Sequence, residues 1–375
     1  MKSTGSLCQW FVLSPGTLRP SLTTSALWRA AQEMNGLSQA VASAQGPRVY
    51  DDWMKSTANA NGDVPKLKTF SRKSARGREL SLRTILVPTD FSRRSKQAIR
   101  WAKFMAQQSH GNIHLVHVHD YEYAVPAEIA LEIMFQTDVE KSLRRDLSRV
   151  AAKHALPNIK TSCHIRSGRA FDQVEKLAEE LRADLIVTST HGYTGLQHLL
   201  LGSTAERIVR HSARPVFVVR VAKNGRMRAP RLKKIVVPLD FSTCSEIGLR
   251  YAVQLARSFG AKLFLLHVVR LDYRLMADGY AMYAAEEILK AAHAAAEEEM
   301  GRVAAATDFG GVEFETSVET GSPQDRVCSY AHEKSADVIV ASTHGRTGFQ
   351  HVLIGSTAEH IVRYAQCPVL VVPAR

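Results

Sequence analysis

The chain has 375 residues, 45% of them apolar and 23% charged, the make-up of a globular protein with room for two or three domains, each with its own core. Its net charge of +13 is unevenly spread (+6 over residues 1–81, +6 over 82–221, +5 over 222–233 and −4 over 234–375), so the excess sits largely in a tail and a linker; with no nucleic-acid reader motif, nucleic acid is not an expected partner. No run of 18 apolar residues offers a membrane span, and five widely spaced cysteines without a CxxC pair exclude a disulfide framework and a zinc site, so a cytoplasmic chain is expected.

Residues 1–81 lack apolar periodicity and are rich in Ser, Lys, Arg, Asn and Gly toward their end, which reads as a disordered or poorly ordered extension. Residues 1–32 carry Lys2, Arg19 and Arg29 and no acid, a composition shared by transit peptides and plain tails; the plain tail is the reading adopted. An apolar run at Thr84–Val87 then ends in Pro88-Thr89-Asp90-Phe91-Ser92. Ser92 is placed to cap a helix carried inward by Ala98, Trp101, Ala102 and Met105. A second strand follows at Ile113–Val118, then a long amphipathic segment at Ala127–His154 and a third strand leading to Gly168 and another helix. A fourth strand, Asp184–Thr188, opens onto a Gly-rich loop, and a helix and the strand Pro215–Arg220 close the unit.

After a basic linker at 222–231, the pattern repeats. Ile235–Val237 ends in Pro238-Leu239-Asp240-Phe241-Ser242, 150 residues beyond its first occurrence. Ser189–Val219 and Ser342–Val372 match at 21 of 31 positions without a gap, so the chain carries two copies of one unit, at 82–221 and 232–375. Strands alternating with helices imply an α/β fold: two tandem five-stranded parallel sheets, each covered on both faces, with ligands at the carboxyl ends of the strands where strand order reverses. Asp90 and Asp240 follow the first strand of each copy, and the Gly-rich loops follow the fourth. Each closing strand is apolar and an open edge of that kind invites pairing, so Phe217–Val219 is expected to face Leu370–Val372 in an internal pseudo-dimer, with a further homodimer left open.

Nine residues separate Gly192 from Gly202, and nine separate Gly345 from Gly355. A phosphate needs close backbone approach and several N–H donors; glycine removes the obstructing Cβ, and a helix beginning at Ser203 or Ser356 aims free N–H groups at the anion. The plain alternative is a capping box, because Ser203-Thr204-Ala205-Glu206 and Ser356-Thr357-Ala358-Glu359 both fit that pattern. The loop is not a Walker A loop, which needs Lys after its last Gly. His191 and His344 stand beside the loop glycines, either near phosphates or packed on the loop, and Arg346 replaces Tyr193 in the second copy. His117 and His267 lie within strands and read as core histidines with one satisfied hydrogen bond.

The combination V-P-x-D-F-S, then H-V, then H-G-x-x-G-x6-G-S-T-A-E and a closing P-V strand, present twice and in order, resembles the universal stress protein family. The resemblance covers roughly 82–221 and 232–374 and implies a five-stranded parallel sheet per copy with association through the last strand. It also implies binding of adenine nucleotide. Pro88 and Asp90, with Pro238 and Asp240, map to the adenine side, and Val118 and Val268 to the base pocket. Gly192, Gly202 and Ser203 map to the phosphate side, as do Gly345, Gly355 and Ser356, with His191 and His344 alongside. The first glycine of the family loop is replaced by Ser189 and Ser342, which departs from the nucleotide-binding pattern.

No nucleophile–base pair, HExxH motif or metal-ligand cluster is legible, and nothing resembles an arginine finger. The expected function is that of a stress-response protein binding ATP, with or without Mg2+, at one or both copies, hydrolysing it slowly at most. The alternative is an interaction scaffold of the same fold that holds no nucleotide.

Overall fold

A computed structural model describes residues 82–119, 129–190, 202–220, 229–270, 279–343 and 354–374. The N-terminal extension, most of the linker, and His191, Gly192, His344 and Gly345 lie outside the described residues. In the first repeat the strands are β1 (Thr84–Pro88), β2 (Asn112–His119), β3 (Thr161–Ser167), β4 (Leu185–Ser189) and β5 (Val216–Val219). The helices are α1 (Arg93–Ser109), α2 (Ile129–Lys153), α3 (Ala170–Glu180) and α4 (Ser203–His211). The second repeat gives β6 (Lys234–Pro238), β7 (Lys262–Arg270), β8 (Phe314–Gly321), β9 (Val338–Ser342) and β10 (Val369–Val372). Its helices are α5 (Thr243–Phe259), α6 (Gly279–Ala306), α7 (Pro323–Glu333) and α8 (Ser356–Tyr364).

The ten strands form one sheet in the order β3-β2-β1-β4-β5-β10-β9-β6-β7-β8. Each repeat contributes five parallel strands, and the two halves meet antiparallel at β5 and β10. In that seam Val369 lies opposite Val218, Leu370 opposite Phe217 and Val371 opposite Val216. The paired stretches thus start one residue earlier than Phe217–Val219 and Leu370–Val372. Both seam strands are buried throughout, as an inner pair of a sheet covered on both faces must be.

Alternate residues of the strands serve the two faces. Leu86, Val116, Ile186 and Val218 join Val174 and Leu177 of α3 and Ile208 of α4 in a core that runs through the seam to Val369, Val371 and Ile361 of α8. On the opposite face, Trp101 of α1 lies 5.1 Å from the fully buried Phe217. There α1 meets α5: Phe104 stacks on Phe259 at 5.2 Å, and Gln108 Nε2 donates to Ser258 O at 2.8 Å. The seam is therefore covered by contacts from both repeats on both sides.

Candidate nucleotide site at the strand-order reversal

In each repeat the strand order reverses between β1 and β4, or β6 and β9, which pair in parallel and end at the same edge. Asp90 and Asp240 follow one strand of each pair; Ser189 and Ser342 end the other.

Chain direction after β1 is set by local hydrogen bonds. Ser92 caps α1, its Oγ accepting from Ser95 N at 3.1 Å, and Ser242 caps α5 in the same way from Ser245 N at 3.2 Å. Asp90 Oδ1 accepts from Ser92 N at 3.1 Å, and Asp240 Oδ1 accepts from both Ser242 N (3.1 Å) and Ser242 Oγ (2.6 Å). Between them Phe91 and Phe241 adopt left-handed backbone, φ 62° and 61°. A bulky residue rarely sits there, at a cost of about 1–3 kcal/mol, so the surroundings must impose it. They do so through the β2 and β7 histidines. Phe91 lies 4.5 Å from the ring of His117, and Phe241 lies 4.3 Å from that of His267. His117 Nδ1 is 2.8 Å from Thr89 O, and His267 Nδ1 is 2.7 Å from Leu239 O. Each histidine thus ties the second strand to the carbonyl beside the aspartate. The role of Phe91 and Phe241 was not legible in sequence, although the repeated D-F pair was its signal.

Burial pushes the Asp90 carboxyl up, but hydrogen bonding to the hydroxyls of Ser92 and Ser95 and to backbone N–H outweighs it and leaves the pKa below the ordinary aspartate value. Asp90 is therefore a carboxylate at neutral pH. Its Oδ2 is buried without a hydrogen-bond partner, an arrangement that costs free energy unless a donor arrives. Val118 and Val268 stand near the ends of β2 and β7, Val118 half-buried and Val268 buried.

At the other strand end, the helices begin at Ser203 and Ser356 as expected, and the capping-box alternative fails. The N-cap of α4 is Gly202, not Ser203, and that of α8 is Gly355, not Ser356; neither helix start has a side-chain cap. Ser203 and Ser356 are the first helical residues and are exposed. Glu206 and Glu359 turn away from the start: Glu206 Oε1 lies 3.0 Å from Arg210 and 3.6 Å from Arg363, and Glu359 Oε1 lies 3.0 Å from Arg210 and 2.8 Å from Arg363. Gly202 N donates to Thr190 O at 2.6 Å and Gly355 N to Thr343 O at 2.6 Å, which brings each helix start onto the end of its strand. Gly202 (φ −59°) and Gly355 (φ −69°) need no left-handed freedom, so a missing Cβ is what glycine contributes there. Ser189 and Ser342 lie in regular strand, paired with Val219 and Val372, so serine in place of the first family glycine meets no backbone conflict. Pro88 and Pro238 end β1 and β6 beside the aspartates.

The model for the universal stress protein family matches residues 81–220 and again 231–373. This chain belongs to the universal stress protein family. Over 142 residues it is 34% identical to a universal stress protein of Methanocaldococcus jannaschii, a match spanning 37% of this chain and 81% of that relative. A Staphylococcus aureus USA300 protein carrying the same family name is 36% identical over 141 residues, 37% of this chain and 83% of the relative. The crystal structure of a universal stress protein from Archaeoglobus fulgidus superposes with a TM-score of 0.55, covering 79% of this chain and 99% of that one at 21% identity, a likeness of fold. The tandem universal stress protein described here thus has both repeats within one family fold. Among its described residues no helix is long and apolar enough to cross a membrane, and no group of three or more His, Cys, Asp or Glu is placed to hold a metal.

Proposed function

We propose that this universal stress protein binds an adenine nucleotide, ATP, at the strand-order reversal of one or both repeats and acts as a nucleotide-sensitive regulator. The observation that carries this reading is the partnerless buried Oδ2 of Asp90 at the end of β1, on the edge where the uncapped start of α4 also lies. A carboxylate accepts hydrogen bonds and repels phosphate, so it suits the amino and hydroxyl donors of a nucleoside. A helix start with free N–H groups and a positive dipole suits the phosphates. The two ends of the site differ in polarity in the sense that a nucleotide does.

In the second repeat, Asp240, Val268, Ser342, Gly355 and Ser356 occupy the corresponding places. Gly192, Gly345, His191 and His344 are assigned to the phosphate side by the family pattern. Mg2+ would accompany the triphosphate as its counter-ion. The protein's own contribution is binding and orientation, with at most slow hydrolysis. The β5–β10 seam makes the tandem chain a pseudo-dimer whose two sites are held by one sheet.

A nucleotide-free scaffold is the competing reading, and the serines at 189 and 342 were its basis in sequence. A thermal melt separates the two. Binding raises stability by about 2.7 kcal/mol at ligand near 100 times Kd, so millimolar ATP should raise the melting temperature. No shift with either ATP or AMP would establish the scaffold.

A further inference from the structure

The outer face of α1 carries Lys96, Arg100 and Lys103 at i, i+4 and i+7, one row about 10 Å long along the helix axis. Lys153 and His154, at the end of α2, extend this row into a cluster of five basic groups. Lys103, Lys153, Arg100 and Lys96 together hold the His154 pKa down, after burial as the largest cause, and no carboxylate opposes them. Among the described residues none of the five makes an ion pair; Arg100 donates only to Gln97 Oε1, at 3.3 Å.

Folding does not call for this arrangement. The first turn of α1 holds Arg93, Arg94 and Lys96 and no acid, against the helix dipole. The second repeat builds the same helix otherwise: Lys96 corresponds to Glu246, Arg100 to Arg250 and Lys103 to Val253. There an acid stands in the first turn and Arg250 faces it electrostatically. The same backbone thus forms with the row dismantled.

We propose that the α1–α2 face of the first repeat binds a linear condensed-phosphate chain, the class of inorganic polyphosphate. A row of cations suits closely spaced charges better than a single anion. The aromatic rings of α1 point elsewhere, Trp101 onto Phe217 and Phe104 onto Phe259, so no ring in the row offers the stacking platform of single-strand nucleic-acid binders. The exposed large apolar side chains among the described residues are Val139, Ile288, Phe314 and Tyr364; none is on α1, and Val139 of α2 stands 14 residues before Lys153, about 21 Å along the helix, so the row itself lacks the apolar anchor of a protein interface. A phosphate chain needs neither.

The test is binding of the full-length protein to immobilised inorganic polyphosphate at 50 and 200 mM salt, with saturating ATP as competitor. Binding is expected to weaken at least tenfold at the higher salt and to persist under ATP, which separates it from the nucleotide site. Lys96→Gln/Arg100→Gln/Lys103→Gln should cost at least tenfold in affinity, whereas Arg226→Gln/Arg228→Gln in the basic linker should not. Lys103→Glu alone, at a half-exposed position, is a second variant should the triple change melt early. Unchanged affinity in folded row variants overturns the proposal. So does competition by ATP, or tighter binding of oligouridylate or polyglutamate through the same three residues.

Discussion

Arg210 Nη2 lies 3.0 Å from Glu359 Oε1, joining helices from the two repeats across 149 residues of sequence. With Glu206 and Arg363 they form a closed set of alternating charges, and the Nε atoms of both arginines are buried without partners. Gln at both 206 and 359 would leave two guanidinium groups facing each other without a counter-charge. The side chains remain roughly a third exposed, so the loss should be modest, about 1 kcal/mol. Urea unfolding should show the midpoint falling in Glu206→Gln/Glu359→Gln, with the difference shrinking in 0.5 M salt.

The seam offers a harder test of how the repeats hold together. Phe217 is fully buried, lies opposite Leu370 and rests against Trp101. Phe217→Ala should cost about 3–5 kcal/mol. Val371→Pro deletes an N–H from a strand paired on both sides and should open the seam, giving aggregation or disassembly. Light scattering coupled to gel filtration reads the outcome; an unchanged monodisperse peak for Val371→Pro would refute the pairing.

Asp90 ties the site to acid stability. Its folded pKa lies below 3.8, its ordinary value. The unfolded chain therefore binds its proton first as pH falls, and the stability that Asp90 contributes is complete above that value and lost as pH drops toward the folded one. The difference in unfolding free energy between the native protein and Asp90→Ala should be flat from pH 8 to about 5 and narrow below about 4.

A second pH effect belongs to the outer strands of the first repeat. His114 Nδ1 and His164 Nε2 lie 3.0 Å apart, so one ring donates to the other. Burial first, then the His164 ring and Lys160 for His114 and Arg166 for His164, push both pKa values below 6.5, while Glu180 pulls His164 back in part. A base with a depressed folded pKa costs stability as pH falls through its unfolded value. The melting temperature should drop between pH 7 and 5. His114→Phe/His164→Ser, which installs the residues the second repeat holds at Phe264 and Ser317, should flatten that dependence.

Much of this architecture was legible because it is written twice. The strand ends at Pro88 and Pro238, the caps at Ser92 and Ser242, and the strand histidines 117 and 267 all follow from local pattern and all stand in the structure. The helix starts at Ser203 and Ser356 stand in the structure, but local sequence cannot choose between a glycine and a serine N-cap, because G-S-T-A and S-T-A-E both satisfy capping rules. The choice is made at long range: Glu206 and Glu359 are claimed by arginines of both repeats, so neither reaches back to a cap. The left-handed backbone at Phe91 and Phe241 was equally out of reach, since propensity disfavours it and its support includes ring contact with a histidine from another strand.

Isothermal titration of the purified full-length protein with ATP tests the central claim most directly, with Gly202→Val/Gly355→Val as comparison. Saturable binding that disappears in the variant, while its melting temperature without ligand stays within a few degrees of the native protein, is the predicted result. Equal heats in both proteins, or no heat in the native one at millimolar ATP, would contradict it.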